Sequence, residues 1–310
     1  MSKVYFSLED FPSLTNTIVT IGTFDGVHVG HKKIFDQLNE LKKQTGFQTV
    51  VFTFDPHPRK VLFPEQKDLK LITSTHEKIK LISENEIDYV LVYPFSKKFS
   101  EITSDYYIEN ILVKKLGAKV IIIGYDHKFG KNREGNIEVL KNNAAKYGFK
   151  VIEISAKDID SISVSSSQIR KAIDAGDIDL ANKFLGHPYF ITGIVTEGKK
   201  LGRTIGYPTA NVKISDADKL LPKIGVYAVK IKVLGNDYGG MLNIGVNPSI
   251  DTDNKIKIEV NIFDFKQDIY GETISIKFVK RLRDEVKFAN LEELKIQLLD
   301  DRIKSIEILK

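Results

Sequence analysis

The chain has 310 residues, more than one hydrophobic core comfortably serves, and its 42% hydrophobic and 28% charged residues describe an ordinary globular protein of two domains. Its formal charge is +5, but lysines and acids interleave: the net is +2 up to residue 185 and +3 beyond, with no basic block of the kind that holds nucleic acid. There is no cysteine, which excludes disulfides and thiolate metal sites and fits a reducing cytoplasm.

The opening stretch "MSKVYFSLEDFPSLTNT" has no uninterrupted apolar core, so no secretion signal is expected. The most apolar short run, "KVIIIG" at 119–124, is strand-sized and far too short to span a bilayer, so no membrane partner is expected. Strand-like runs fall at 17–22, 47–54, 88–94, 119–124 and 149–154, with amphipathic stretches at 31–44, 74–85, 103–116 and 136–147 between them. Continuous apolar strands alternating with helices predict an α/β fold, a doubly wound parallel sheet buried on both faces. Ligands of such sheets bind at the carboxyl ends of the strands, where the unusual loops of this chain fall.

After about residue 185 the rhythm changes. The runs 189–196, 225–233, 239–245, 255–265 and 273–282 have period-two character, and helical spacing returns only at 290–305. The pattern predicts a small antiparallel barrel or sandwich closed by a C-terminal helix. The change of class sets the expected domains at 1–185 and 186–310, with no low-complexity linker between them.

Within residues 20–34, "TIGTFDGVHVGHKKI", two of the chain's six histidines stand three positions apart. The strand ends near Gly22, "FDG" turns, and a helix starting close to His28 places His28 and His31 on one face. Gly30 between them leaves backbone open to a bulky anion, and a helix start offers free N–H groups and a positive dipole end. That favours phosphate over two competing readings. Zinc lacks further ligands, with no cysteine and no HExxH, and the histidines of a purely structural pair would only decorate a helix start. No Walker A loop is present: "GYDHKFGKN" spaces its glycine and lysine one residue too far apart, and no Ser or Thr follows the lysine.

Strand, turn and "HVGH" resemble the HxGH signature of the adenylyl-transferring nucleotidyltransferases, whose sheets are Rossmann-like. In that chemistry an anionic oxygen attacks the α-phosphorus of ATP and pyrophosphate leaves. Positioning and charge stabilisation suffice without a general base. The second signature of that superfamily resembles "SVSSSQIRKAI" at 163–173, where Ser165, Ser166 and Ser167 can cap a helix or meet phosphate and Arg170 can reach the leaving pyrophosphate.

"IGTFDGVHVGH", "TFDPHPR" (53–59), "GYDHKFGKNREG" (124–135) and "VSSSQIR", taken in order, resemble the adenylyltransferase half of the bacterial bifunctional riboflavin kinase/FMN adenylyltransferase (FAD synthetase) family. "LGRTIGYPTAN" (201–211), "GVYAV" (225–229), "NIGVNPS" (243–249), "IEVNIFDF" (258–265), "IYG" (269–271) and "RLRDEVKF" (281–288) resemble its riboflavin kinase half. The resemblance implies two magnesium-dependent reactions: ATP phosphorylates riboflavin to FMN, then adenylylates FMN to FAD. It implies catalytic roles for His28, His31 and Glu259, the last as proton acceptor for a ribityl hydroxyl. It implies nucleotide or flavin contacts for Gly22, Thr23, Phe24, Gly30, Asp126, Ser165, Ser166, Ser167, Arg170, Arg203, Thr209 and Asn211, with Thr209 and Asn211 also binding magnesium. Riboflavin, ATP, FMN and FAD are the implied partners, and the chain is expected to be a monomer or a weak homo-oligomer. His127 and Asn261 depart from the family's usual residues, an aromatic and a histidine, and His57 of "DPHP" is implied at a phosphate site.

Overall fold

A computed structural model describes residues 2–66, 68–124, 127–154, 164–198, 202, 205–246 and 256–310. The chain divides into two compact units, residues 1–69 with 73–165, and residues 70–72 with 166–310.

The first unit is built on six parallel strands: β1 (Lys3–Tyr5), β2 (Thr17–Ile21), β3 (Gln48–Asp55), β4 (Tyr89–Pro94), β5 (Ala118–Gly124) and β6 (Lys150–Ile154). They lie in the order β1-β4-β3-β2-β5-β6. The helices Val29–Thr45, Thr75–Ser83 and Ile137–Tyr147 fall between the strands, and the stretch ahead of β5 is a π-helix, Tyr107–Lys115. All five residues of β2 are buried, as are the six central residues of β3. That is why these runs, threonines apart, read as apolar throughout rather than alternating with charged residues. Phe52 packs on Phe54, Tyr93, Phe99 and Tyr107, whose own ring meets Phe129. The strand order reverses between β2 and β5. From β2 the chain works outward through β3 and β4, then returns to lay β5 on the other side of β2. The carboxyl end of β2 is therefore the topological switch point, and the HVGH turn leaves from it.

The second unit is a closed antiparallel barrel of β7 (Phe190–Thr196), β8 (Ala210–Lys213), β9 (Gly225–Val233), β10 (Asn236–Val246), β11 (Ile256–Ile262) and β12 (Thr273–Arg283). The order round the barrel is β10-β11-β8-β7-β12-β9, so closure removes every free sheet edge. Alternate residues point inward: Tyr227, Val229, Ile231, Leu242, Ile244, Ile258, Val260, Ile276 and Phe278 are buried. The helices Ser166–Ala175 and Ile178–Leu185 belong to this unit, where Asn182 donates to Phe278 O (3.0 Å) and accepts from Tyr189 N (2.7 Å). Residues 70–72 add a short parallel bridge at Leu71–Lys219, and buried Lys219 donates to Ile72 O at 2.6 Å. A C-terminal helix, Leu291–Leu309, lies against β9, β10 and β12. It is pinned by a forked ion pair in which Arg283 Nε and Nη2 donate to the carboxylate of Asp301, an acid only 1% exposed.

Strand β8 is absent from the strand-like runs read from the sequence. Its four residues are held extended by ladders on both sides, to β11 and to β7. A strand this short is defined by the pairing its neighbours supply, not by a local pattern.

Candidate active sites

In the first unit, Gly22 N donates to Phe52 O (3.0 Å), carrying the β2–β3 ladder one residue past the strand. A side chain there would begin 2.9 Å from the Phe24 ring, so only glycine allows that ring to fold back. The turn that follows is strained. Phe24, Gly26 and Val27 have φ of 49°, 85° and 43°, and for two residues with side chains this left-handed backbone costs on the order of 1–2 kcal/mol each.

The surrounding structure overrides that cost with a small buried network. Asp25 accepts from Thr73 N (3.0 Å) and Thr73 Oγ1 (3.2 Å), and Thr73 Oγ1 accepts from Gly26 N (3.1 Å). Lys78, 7% exposed, donates to Phe54 O (2.8 Å) at the end of β3 and to Thr23 O (3.3 Å) in the turn. Phe24 fills the space beneath, its ring against His31 at 5.1 Å and Phe35 at 5.3 Å.

His28 is the N-cap of the Val29–Thr45 helix. Its backbone is extended, and its carbonyl accepts from His31 N (2.8 Å) and Lys32 N (3.0 Å). Its side chain does not cap; it stacks on His31 with ring centroids 3.7 Å apart and planes 18° from parallel. The first turn of the helix carries no acid, which leaves its positive dipole end uncompensated by side chains. Burial, then the charges of His28 and Lys78, hold His31 well below the ordinary imidazole pKa. His31 is thus neutral at physiological pH. Its buried Nδ1 has no hydrogen-bond partner among the described residues, so the cheaper tautomer keeps the proton on Nε2, leaving that N–H as the donor.

Burial also pulls Lys78 down to about 8, against the opposing pull of Asp25 and Asp55. Its charge therefore persists at neutral pH and is lost as pH rises through that value. Lys78→Met removes one of the charges that hold His31 down, so the His31 midpoint is expected to move to higher pH. Imidazole carbon shifts followed by NMR against pH check this; an unmoved midpoint would deny the electrostatic link.

Other predicted positions in this unit have defined surroundings. Gly30 is buried in the first helical turn. His57 caps the short Pro58–Leu62 helix, its Nδ1 accepting from Arg59 N at 3.2 Å. His127 stacks near Phe129 with centroids 5.9 Å apart. Asp126 and Arg203 lie outside the described residues.

HVGH and Ser165 group with the first unit, and the serine motif from Ser166 onward with the second. Ser165 precedes the helix, Ser166 and Ser167 open it, and one turn on Arg170 Nε donates to Lys70 O at 2.8 Å.

On the barrel, register assembles a polar row. Asn211 of β8 lies opposite Glu259 of β11, and Glu259 lies opposite Asn243 of β10. Residues directly opposite share a face, so the three side chains project together. Asn243 Nδ2 donates to Glu285 Oε1 (3.2 Å), whose side chain lies so near Gly245 that a Cβ there would sit 2.2 Å from the same oxygen. Asn261, two residues along from Glu259 and so on the same face, is buried and donates to Pro208 O at 2.7 Å, fixing the carbonyl just ahead of exposed Thr209. Two glycines ahead of β8 sit where no side chain would fit. A Cβ on Gly198 would meet the Asn211 amide at 2.0 Å, and one on Gly202 would meet Tyr207 O at 2.1 Å. Thr209 and Asn211 offer hard oxygen donors without sulfur or imidazole, a pair that suits magnesium, with the Glu259 carboxylate opposite Asn211.

Several of these residues escape a reading of the sequence. Asp25 reads as a turn former and Thr73 as a loop residue. Lys78 had a usable signal: it sits on the apolar stripe of its helix with Leu81 and Ile82, an expensive place for an unpaired ammonium. Asn243 and Glu285 become visible only through strand register and a hydrogen bond spanning 42 residues.

Two family models match the chain: one described as FAD synthetase over residues 10–168, the other as riboflavin kinase over 185–309. A protein of Buchnera aphidicola named bifunctional riboflavin kinase/FMN adenylyltransferase is 42% identical, over 93% of this chain and 91% of its own length. One of the same name from Listeria monocytogenes is 40% identical, over 92% and 90%. A crystal structure from Streptococcus pneumoniae, titled a macrolide-efflux protein, superposes with a TM-score of 0.88 at 32% identity and 98% coverage of both chains. No described helix of the present chain is long and apolar enough to cross a membrane.

Proposed function

The chain belongs to the bifunctional riboflavin kinase/FMN adenylyltransferase family, and from that premise we propose which residues carry its two reactions. It uses ATP twice, to phosphorylate riboflavin and to convert FMN to FAD. We assign residues 1–185 to adenylyl transfer and 186–310 to the kinase.

The observation that carries the adenylyl assignment is the stacked His28–His31 pair at a helix start on the switch point of a parallel sheet. The attacking group, a phosphate oxygen of FMN, is already an anion, so no base is needed. It forms a bond to the α-phosphorus of ATP while the bond to the β-phosphate bridge breaks and pyrophosphate departs. Charge then grows on the equatorial α-phosphate oxygens. A neutral His31 Nε2–H, the His28 ring and the first free N–H groups of the helix are suited to meet that charge. We assign Asp25, Thr73 and Lys78 to holding the turn that aims the histidines. Gly22, Thr23, Phe24, Gly30, Asp126, Ser165, Ser166, Ser167 and Arg170 remain the proposed contacts to nucleotide, flavin phosphate and pyrophosphate.

In the kinase the attacker is a neutral primary alcohol, so a proton must leave. Glu259, centred in the polar row, accepts it as the oxygen bonds to the γ-phosphorus of ATP and ADP departs. Thr209 and Asn211, set by Asn261 and the two close glycines, would hold the magnesium, and Arg203 is proposed as a phosphate contact. When bound, that ion neutralises charge on the transferring phosphate. The lack of cysteine supports a cytoplasmic location, and the interleaved charge supports small-molecule partners rather than nucleic acid.

A chromatographic time course with purified protein, riboflavin, ATP and magnesium tests the scheme. FMN is expected to rise and then fall as FAD appears. FMN that accumulates without FAD would remove the adenylyl assignment, and riboflavin left untouched would remove the kinase assignment.

A further inference from the structure

The Leu291–Leu309 helix is apolar on two opposite faces. One is covered by the barrel: Leu294, Leu298 and Ile308 are half-buried, Asp301 and Ser305 fully so, and Leu309 reaches to Gly239. The other faces water. Ile296 is 70% exposed, Leu299 53%, Ile303 49% and Ile306 37%. These four are spaced three, four and three apart, the a and d positions of two consecutive heptads. At 100° per residue they form one stripe, about 180° around the helix from buried Asp301. A helix that needed only its seat on the barrel would carry polar residues there.

The charges beside the stripe say what it fits. Lys295 and Arg302 occupy the g positions, and Asp300 and Glu307 the e positions. In a parallel, in-register pair of this helix, each g residue meets the e residue five positions on in the other copy. That sets Lys295 against Asp300 and Arg302 against Glu307, opposite charges at both contacts. An antiparallel pair would set positive against positive and negative against negative. We propose that this face docks a second copy of the chain, the two C-terminal helices packing parallel and in register about a two-fold axis. The stripe, being self-complementary, satisfies the requirement of such an isologous interface.

The local ion pairs do not block this arrangement. Lys295–Glu292, Lys304–Asp300 and Arg302–Asp264 are solvent-exposed or nearly so, and such pairs exchange partners at little cost. The helix is already formed on its own barrel, so association need not nucleate it. Two heptads make a small interface, and the dimer is correspondingly weak and concentration-dependent.

The test is sedimentation velocity on the full chain over a wide concentration range. A dimer fraction that grows with concentration is expected, with dissociation at least tenfold easier in Ile303→Lys. The double variant Asp300→Lys/Glu307→Lys leaves the stripe intact and places like charges at both flanking contacts, so it too weakens the dimer. Because the protein has no cysteine, Ile303→Cys introduces a single thiol that meets its own copy only in parallel register. Mild oxidation is expected to give a disulfide dimer from that variant and not from Lys304→Cys, which lies off the stripe. A chain that stays monomeric at every concentration overturns the proposal and leaves the stripe to another protein or to none. A dimer indifferent to Ile303→Lys and to the charge variant places the interface elsewhere. A dimer sensitive to Ile303→Lys that never cross-links through residue 303 refutes the parallel register.

Discussion

His31→Ala is expected to lower FMN adenylylation about 100-fold, and the double variant with His28→Ala about 1,000-fold, the range seen when charge-stabilising donors are removed from an active site. Riboflavin phosphorylation should continue at its full rate, so FMN accumulates. The asymmetry follows from where the pair sits. His31 is a buried neutral imidazole with its Nε2–H as donor, on the first turn of a helix that leaves a sheet switch point. In the proposed scheme it supplies a hydrogen bond to developing charge and accepts no proton. His31→Gln, which keeps an N–H donor on a side chain of similar reach, should therefore restore part of the loss, whereas His31→Phe keeps the packing on Phe24 without the donor and should not. Rates of FAD formation from supplied FMN, measured beside rates of FMN formation from riboflavin, decide it. Equal loss of both activities would mean that the histidines support the whole chain rather than one reaction.

The difference between what the sequence disclosed and what it hid is one of range. The histidine pair is legible because everything that defines it lies within a dozen residues: strand end, glycine turn, helix start. The parallel sheet is legible for a similar reason, since β2, β3 and β5 are buried on both faces and announce it by largely apolar runs without polar alternation. The partners that fix the turn are not local. Lys78 reaches carbonyls 55 and 24 residues back, and Thr73 meets Asp25 across 48 residues.

The barrel shows the same limit. Alternation located five of its strands, but only pairing distinguishes a closed barrel from a sandwich, and the four-residue β8 exists because β7 and β11 flank it. The bridge that places residues 70–72 in the second unit joins positions 148 apart, Leu71 and Lys219, and nothing near either residue points to the other. Asn261 reverses the pattern. In the sequence it is a departure from the family's usual histidine. In the fold its amide holds Pro208 O, so the substituted residue still fixes the loop that presents Thr209.

Glu259→Ala is expected to produce the converse phenotype: riboflavin phosphorylation falls by about 100- to 10,000-fold, the usual contribution of a general base, while supplied FMN is still converted to FAD. The register supplies the reason for choosing this carboxylate over Glu285, the other acid in the row. Glu259 lies between Asn211 and Asn243, directly beside the proposed magnesium and phosphate ligands. Glu285 is held through Asn243, a strand further away. Glu285→Gln should consequently disturb the position of Asn243 and raise the riboflavin KM more than it lowers kcat. Glu259→Gln should lower kcat with little change in KM, since it preserves shape and hydrogen bonding and removes only the ability to take a proton. A split in the opposite sense would exchange the roles of the two glutamates. An undiminished kcat in both variants would leave proton removal to solvent and make positioning against the γ-phosphate the whole of the protein's contribution to the kinase step.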